Sequence, residues 1–307
     1  MARIGDFALH TLATGHIAES RARLQEVQIQ VSTGKVSRDY AGVASDSRRL
    51  ISIESAHSSA TAFVGKIEQV DQRLQLMESN VSAIFDMATG FRSTLVAAAN
   101  APTGADTNVD GEAQEKMKQL ASLLNVQSDG RYLFAGTRTN VVPVDINDPL
   151  FLPPGGTYPS NPNIAYYKGD STKLTVRADQ NSSVTYGVTA DESAFEKTMR
   201  ALHLASNAVA GSTVDQTRID EALRVMNEAL DELPDVRTRI GNARNTLDLN
   251  KTQHEEFMLY AEQTIGDIEN VDVTEAITRL TNEEVQLEAS LLAVARLGNL
   301  SLINFLG

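Results

Sequence analysis

The run Asp106-Thr-Asn108-Val-Asp110-Gly111 sets oxygen-bearing side chains at alternate positions ahead of a turn glycine, as the first half of an EF-hand calcium loop does. Position twelve of such a loop, where a bidentate glutamate completes the shell, is Met117. Asp106, Asn108 and Asp110 therefore make a weak calcium site at best, and the same residues serve any tight turn between helices. Ser32-Thr-Gly-Lys35 has the ending of a phosphate-binding loop, but Ile29 stands where the first glycine belongs and no strand precedes it, so nucleotide binding is rejected. His10, His16, His57, His203 and His254 are scattered, with no i, i+4 pair of the kind a zinc helix uses; each reads as a helix-surface or seam residue. No Gly-x-Ser-x-Gly elbow is present, and the carboxylate pairs Glu255-Glu256 and Glu283-Glu284 are expected on solvated helix faces. The residues call for no cofactor and point away from an enzyme.

Composition narrows the classes further. The 307 residues contain no cysteine, which excludes disulfides, zinc-thiolate sites and thiol nucleophiles and makes folding independent of the redox compartment. Forty acidic against 27 basic residues give a net charge of −13 with no strongly basic block, so nucleic acid is excluded as an expected partner. No run approaches the ~18 apolar residues of a membrane span, and charges interrupt the first ten residues where a signal peptide needs an apolar stretch. The expectation is no membrane insertion, and no cleaved leader if the protein leaves the cell.

The elements that would carry any function are helices. From Ile53 to Leu95 apolar residues recur at alternating steps of three and four (Ile53, Ala56, Ala60, Phe63, Ile67, Val70, Leu74, Met77, Val81, Ile84, Ala88, Phe91, Leu95), which predicts one unbroken helix about 60 Å long with a coiled-coil seam. A second seam runs from Val236 through Ile240, Ala243, Leu247, Asn250, His254, Phe257, Ala261, Thr264 and Ile268 to Val271, and the two are expected to pair antiparallel. Asp272 followed by Glu275 reads as a capping box that starts a last helix. Shorter helices are expected near 113–128, 191–210 and 215–233, with Thr189/Glu192 and Thr213/Gln216 as capping boxes for the latter two.

Between 131 and 190 fall six of the eight prolines and five of the seven tyrosines, and Thr172–Ala178 and Val184–Val188 alternate in the strand pattern. The fold class is thus mainly α: an elongated helical bundle or coiled-coil rod built from both chain ends, with a small β-rich domain inserted in the middle. The expected division is residues 1–44, 45–130, 131–190, 191–271 and 272–307. Residues ~5–32 and 272–307 are amphipathic helices without an evident core of their own. Either they pair with each other to finish the bundle, or they pair with other subunits.

Certain residues resemble a known family. Val31-Ser-Thr-Gly-Lys35, then Asp39-Tyr-Ala-Gly42-Val-Ala44 and a long heptad helix, are similar to the amino-terminal signature of the flagellin superfamily, with a shorter loop between the pieces. The stretch from Ile268 through Val271-Asp272 and Glu275 to Leu300-Ser-Leu-Ile-Asn-Phe-Leu306 resembles the other terminal helix of that family. Asp129-Gly130-Arg131-Tyr132-Leu133-Phe134-Ala135-Gly136-Thr137 resembles a segment typical of the members that join hook to filament. Ser32, Gly34, Gly42, Gly130, Arg131, Tyr132, Phe134 and Gly136 are the signature positions.

The resemblance implies a structural subunit of the bacterial flagellum, outside the cell, exported by the flagellar type III route with a chaperone. It implies a ring of identical copies between a hook-associated protein and the flagellin filament; a bulk flagellin is the alternative, and a calcium-dependent adhesive protein the reading from another class. It further implies intersubunit packing by Ile4, Phe7, Ile17, Leu24, Val27 and Val31 with Leu287, Leu291, Val294, Leu297 and Leu300, and an outward-facing 131–190 segment.

Overall fold

The uninterrupted seam is one helix. In the computed structural model, which describes residues 2–100, 108–210 and 213–306, with side chains from 11 to 296, helix α2 runs Ser47–Ala99. Before it lies α1 (Ala2–Thr33); after it come α3 (Val109–Leu124), α4 (Ser193–Ala205), α5 (Gln216–Glu269) and α6 (Val273–Leu306). The protein is mainly α, with long helices packed on one another and, among the described residues, only small strand pairs.

Two compact units divide the chain: Ala60–Glu256, and Met1–Ser59 with Phe257–Gly307. In the first, α2 and α5 pack antiparallel, as the seams predict. Phe63 stacks on His254 at 5.3 Å, Lys251 pairs with Glu68 at 2.8 Å, Arg244 forks between Asp71 and Glu78 at 2.8 and 2.7 Å, and Arg92 donates to Asn227 at 2.6 Å. Partner numbers fall on one helix as they rise on the other, which fixes the register. From Ile67 to Leu95 every α2 seam position is buried, and Val236, Ile240, Ala243 and Leu247 of α5 meet that core. The core also takes in the apolar faces of α3 and α4.

Several boundaries differ from the sequence reading. Residues 215–233 are not a separate helix: α5 continues through Pro234, where a helical N–H is missing. Leu233 and Val236, on either side, are buried in the core, so packing outweighs the lost bond. Helix α4 ends at Ala205, because β5 (Val209–Ala210) pairs with β6 (Thr213–Val214). Thr213 is thus a strand residue; Asp215 caps α5, accepting from the Arg218 N–H at 3.1 Å. Thr189 caps nothing either, since α4 begins after Glu192, whose carboxylate is drawn instead to Arg239 and Lys173.

The inserted segment is less regular than its alternation suggests. Strands β3 (Thr175–Arg177) and β4 (Ser183–Thr185) form one short antiparallel pair, and β1 (Gln127–Ser128) with β2 (Arg131–Tyr132) another. Between them the prolines, which cannot donate to a ladder, leave a loop held by side chains and by the isolated bridge Val144–Tyr167.

Candidate assembly interface

Helix α1 stops at Gly34, which is left-handed (φ +69) and donates its N–H to the Gln30 carbonyl at 2.8 Å, the hydrogen bond of an αL helix end. The chain then forms an antiparallel bridge with the break between α5 and α6. Val36 N–H donates to Glu269 O at 2.7 Å, Val271 N–H to Gly34 O at 2.9 Å, and Lys35 pairs with Glu269 at 2.7 Å. The two helix breaks are therefore one joint. Asp272 starts α6 as the sequence suggests, its Oδ1 accepting from the Thr274 and Glu275 N–H groups at 2.8 and 3.1 Å. Gly42 is needed in the loop that follows, since a Cβ there would lie 2.2 Å from that of Ser37. Tyr40 donates to Glu54 at 2.7 Å, which raises the phenol above its usual range.

Beyond the joint α1 and α6 run antiparallel along each other. Arg23 Nε pairs with Glu283 at 3.2 Å, so Glu283 is a half-buried seam residue rather than part of a solvated pair. On α1, Val27 is buried and Ile17, Leu24 and Val31 are half-buried; on α6, Leu287 and Val294 are half-buried and Leu291 is exposed. Ile4, Phe7, Leu297 and Leu300 lie outside the described side chains.

The seam is thin. Among the described residues Val27 and Ala276 are the fully buried apolar side chains of these two helices, and Ser20 and Gln30 are buried polar ones in α1, Ser20 Oγ and Gln30 Oε1 without a hydrogen-bond partner. Such groups weaken an apolar contact, while the small side chains let the helices approach. At about 100° per residue, Ala276, Leu280, Leu287 and Val294 share one face of α6; Leu291 and Ile277 extend that apolar arc to one side into solvent, while the exposed Val285 and Leu292 stand nearly opposite the seam. Helix α1 covers only part of the arc. Sequence periodicity found Leu280, Leu287 and Val294 but missed the buried Ala276, and two of its stripe residues, Ile277 and Leu291, are exposed; Val285 and Leu292 lie off the heptad positions.

The signature of residues 129–137 is a piece of architecture. Asp129 (φ 52) and Gly130 (φ 72) are the two left-handed residues of the tight turn joining β1 to β2. Arg131 is exposed and Tyr132 half-buried. Phe134 is fully buried, edge-on to Phe195 at 5.9 Å. Gly136 (φ +66) has no room for a side chain, because a Cβ would lie 2.1 Å from the Asp170 carbonyl oxygen. Asp170 accepts from Thr137 Oγ1 at 2.6 Å, and this bond, with others from backbone N–H groups, holds its carboxyl well below the usual range. Of the calcium candidates, Asp106 lies outside the described residues, Asn108 is exposed just before α3 and Asp110 is half-buried in its first turn. Among the described residues no three acidic or histidine side chains converge on a point, and no helix is long and apolar enough to cross a membrane.

A paired amphipathic start and finish, a stitched joint, and a glycine-dependent loop at Gly42 coincide with two family models. The model of the bacterial flagellin N-terminal helical region matches residues 8–139, and that of the C-terminal helical region matches residues 223–306. The chain belongs to the bacterial flagellin family. That family is structural rather than enzymatic, and the chain is by membership a flagellar axial component. No curated protein matches the sequence significantly.

Among solved structures, a flagellar hook-associated protein from Vibrio parahaemolyticus is similar at a TM-score of 0.58 and 18% identity, covering 72% of this chain and 96% of its own. FlgL of Bacillus cereus gives 0.54 and 16%, covering 71% and 99%. Hook-associated protein 3 of Legionella pneumophila gives 0.51 and 14%, covering 72% and 97%. At these identities the likeness establishes a shared fold, in which almost the whole of each relative finds a counterpart in this flagellin-family chain.

Proposed function

We propose that this chain is the hook-filament junction subunit, a ring-forming adaptor between a hook-associated protein and the first flagellin of the filament. The observation that carries this reading is the near-complete coverage of the three solved structures, two of hook-associated proteins and one of FlgL; the signature at 129–137 supports it, since it resembles a segment typical of that branch. The assembling parts are residues 1–44 and 272–307. Ile17, Leu24, Val27 and Val31 with Leu287, Leu291 and Val294, and Ile4, Phe7, Leu297 and Leu300 toward the ends, pack against neighbouring copies. The thin α1–α6 seam supports this role, because a helix pair with an uncovered apolar arc gains more by binding a neighbour than by closing on itself. The 131–190 segment faces outward. Export proceeds by the flagellar type III route with a chaperone, and the mature location is the extracellular flagellum.

Deleting the gene tests the assignment. Cells should keep their hooks and shed unpolymerised flagellin into the medium, with filaments restored by the plasmid-borne gene. A medium free of flagellin, in a strain that still makes it, would contradict the junction role. If this chain were itself the bulk filament protein, its loss would leave no subunit to shed.

A further inference from the structure

The proline-rich loop between 149 and 163 is held to the helices at three points. Near its start the Phe151 ring is buried, edge-on to Tyr166 at 5.3 Å and tilted over the His203 imidazole at 4.5 Å. Further on, Ser160 N–H and Oγ both donate to Glu221 at 2.6 and 2.8 Å, and Arg200 donates to the Ser160 carbonyl. At its end Asn163 N–H donates to Glu196 at 3.0 Å. The last two anchors use carboxylates. The first needs a neutral ring.

His203 lies in the last turn of α4, 8% exposed, with Nδ1 buried and without a hydrogen-bond partner. An imidazolium carries two N–H groups, so whichever nitrogen holds the proton in the neutral ring, the cation has a buried donor with no acceptor. The charged groups around it offer none. On α5 the Arg218 guanidinium acts on the ring with like charge, and Asp215 is paired to that arginine at 3.5 Å. Glu221, also on α5, is shared by Ser160 and Arg224; on α4, Glu196 pairs with Arg200 at 3.1 Å. Tyr166 donates its hydroxyl to the Ala190 carbonyl at 2.9 Å, and every buried residue of α3, which packs on α4, is apolar. Burial first, and then Arg218, hold the imidazole down to a pKa of about 4. A histidine depressed in this way stabilises the closed arrangement above its ordinary 6.5, and that contribution is lost as the pH falls from 6.5 toward 4.

Among the contacts of the ring, Phe151 is the one carried by a loop, so it can leave without breaking a helix. We infer that His203 and Phe151 form an acid-released latch: protonation of the imidazole expels the Phe151 ring and frees that end of the loop, while Ser160 stays fastened to Glu221. Glu221 keeps its charge to a pH of about 2, so the two anchors part at different acidities. The latch is independent of the assembly role proposed above.

The test is hydrogen exchange of the full chain at pH 7 and pH 5.5, corrected for the intrinsic pH dependence of exchange and resolved to single amides by mass spectrometry. The Phe151 amide, which donates to the Asp148 carbonyl at 2.9 Å, should open about five- to tenfold more often at pH 5.5, and the Ser160 amide should not change. In His203→Phe, which keeps a ring and cannot titrate, the Phe151 amide should open equally at both pH values. His203→Gln should give the same flat profile, with circular dichroism showing each variant folded. An unchanging Phe151 amide in the unmodified chain would make His203 a packing residue and overturn the latch. A rise that persists in both variants would assign the effect to Glu196, and an equal rise at Ser160 would mean the whole loop leaves together; either result overturns it too.

Discussion

Gly136 and Gly130 are both left-handed glycines in one signature, yet they answer to different constraints. At Gly130 nothing lies within 4 Å of a hypothetical Cβ, so Gly130→Ala should cost only the backbone strain of about 1–2 kcal/mol. At Gly136 the same strain is joined by a backbone oxygen 2.1 Å away, and Gly136→Ala should cost about 2–4 kcal/mol. Urea unfolding of the two variants separates them; equal losses would mean the Asp170 loop yields. Glu221 offers a second residue-scale test. It is 7% exposed and binds Ser160 and Arg224, with the Arg224 hydrogen bond as the largest cause of a pKa lowered to about 2. A depressed folded-state pKa stabilises above the ordinary carboxylate range near 4.5, and that contribution is lost as the pH falls toward 2. Neighbouring Glu196 is shifted the other way by burial, so total acid stability cannot isolate Glu221. Subtracting the E221Q variant can: it should be about 1–3 kcal/mol less stable at pH 7, with the gap closing between pH 4.5 and 2. A pH-independent gap would show that the glutamate acts by shape alone.

The helices were legible to different depths, for physical reasons. The α2 seam could be read residue by residue because thirteen positions keep one period without a polar interruption. The continuity of α5 could not, because the local signal at Pro234 says stop and only the burial of Leu233 and Val236 overrides it. Strand alternation overstated β3 and β4, since alternation specifies a face and not a partner, and the flanking prolines deny long ladders. In the signature, Gly130 and Gly136 could be noticed as glycines, but the Asp170 contact that makes one of them indispensable joins residues 34 apart. The α6 start lay within reach of sequence because a cap is local. Asp272→Ala removes the acceptor of two N–H groups and should destabilise that end by about 1 kcal/mol. Hydrogen exchange checks it: the Thr274 and Glu275 amides should exchange about fivefold faster while amides near Leu74 are unchanged. Unaltered exchange at both would mean the bridge at Lys35–Asn270, not the cap, holds the start of α6.

At the scale of the whole molecule the question is whether the ends belong to the fold or to the assembly. The sequence left open whether the two terminal helices pair with each other or with other subunits. The structure pairs them, but through a seam with Val27 and Ala276 as its fully buried apolar members among the described residues, beside an apolar arc left in solvent. The main core, by contrast, is complete between Ile67 and Leu247 and uses neither terminal helix. A fragment of residues 45–270 therefore keeps every core side chain and loses only the thin seam. It should unfold cooperatively, with a midpoint close to that of the full chain in the amides of α2, and stay monomeric by sedimentation. It should also fail to appear in sheared flagella when expressed in the deletion strain, even if secreted. A fragment that unfolded on trimming would make α1 and α6 part of the monomer's own core. A fragment that folded and still joined the flagellum would move the assembling surface off the chain ends and into residues 45–270.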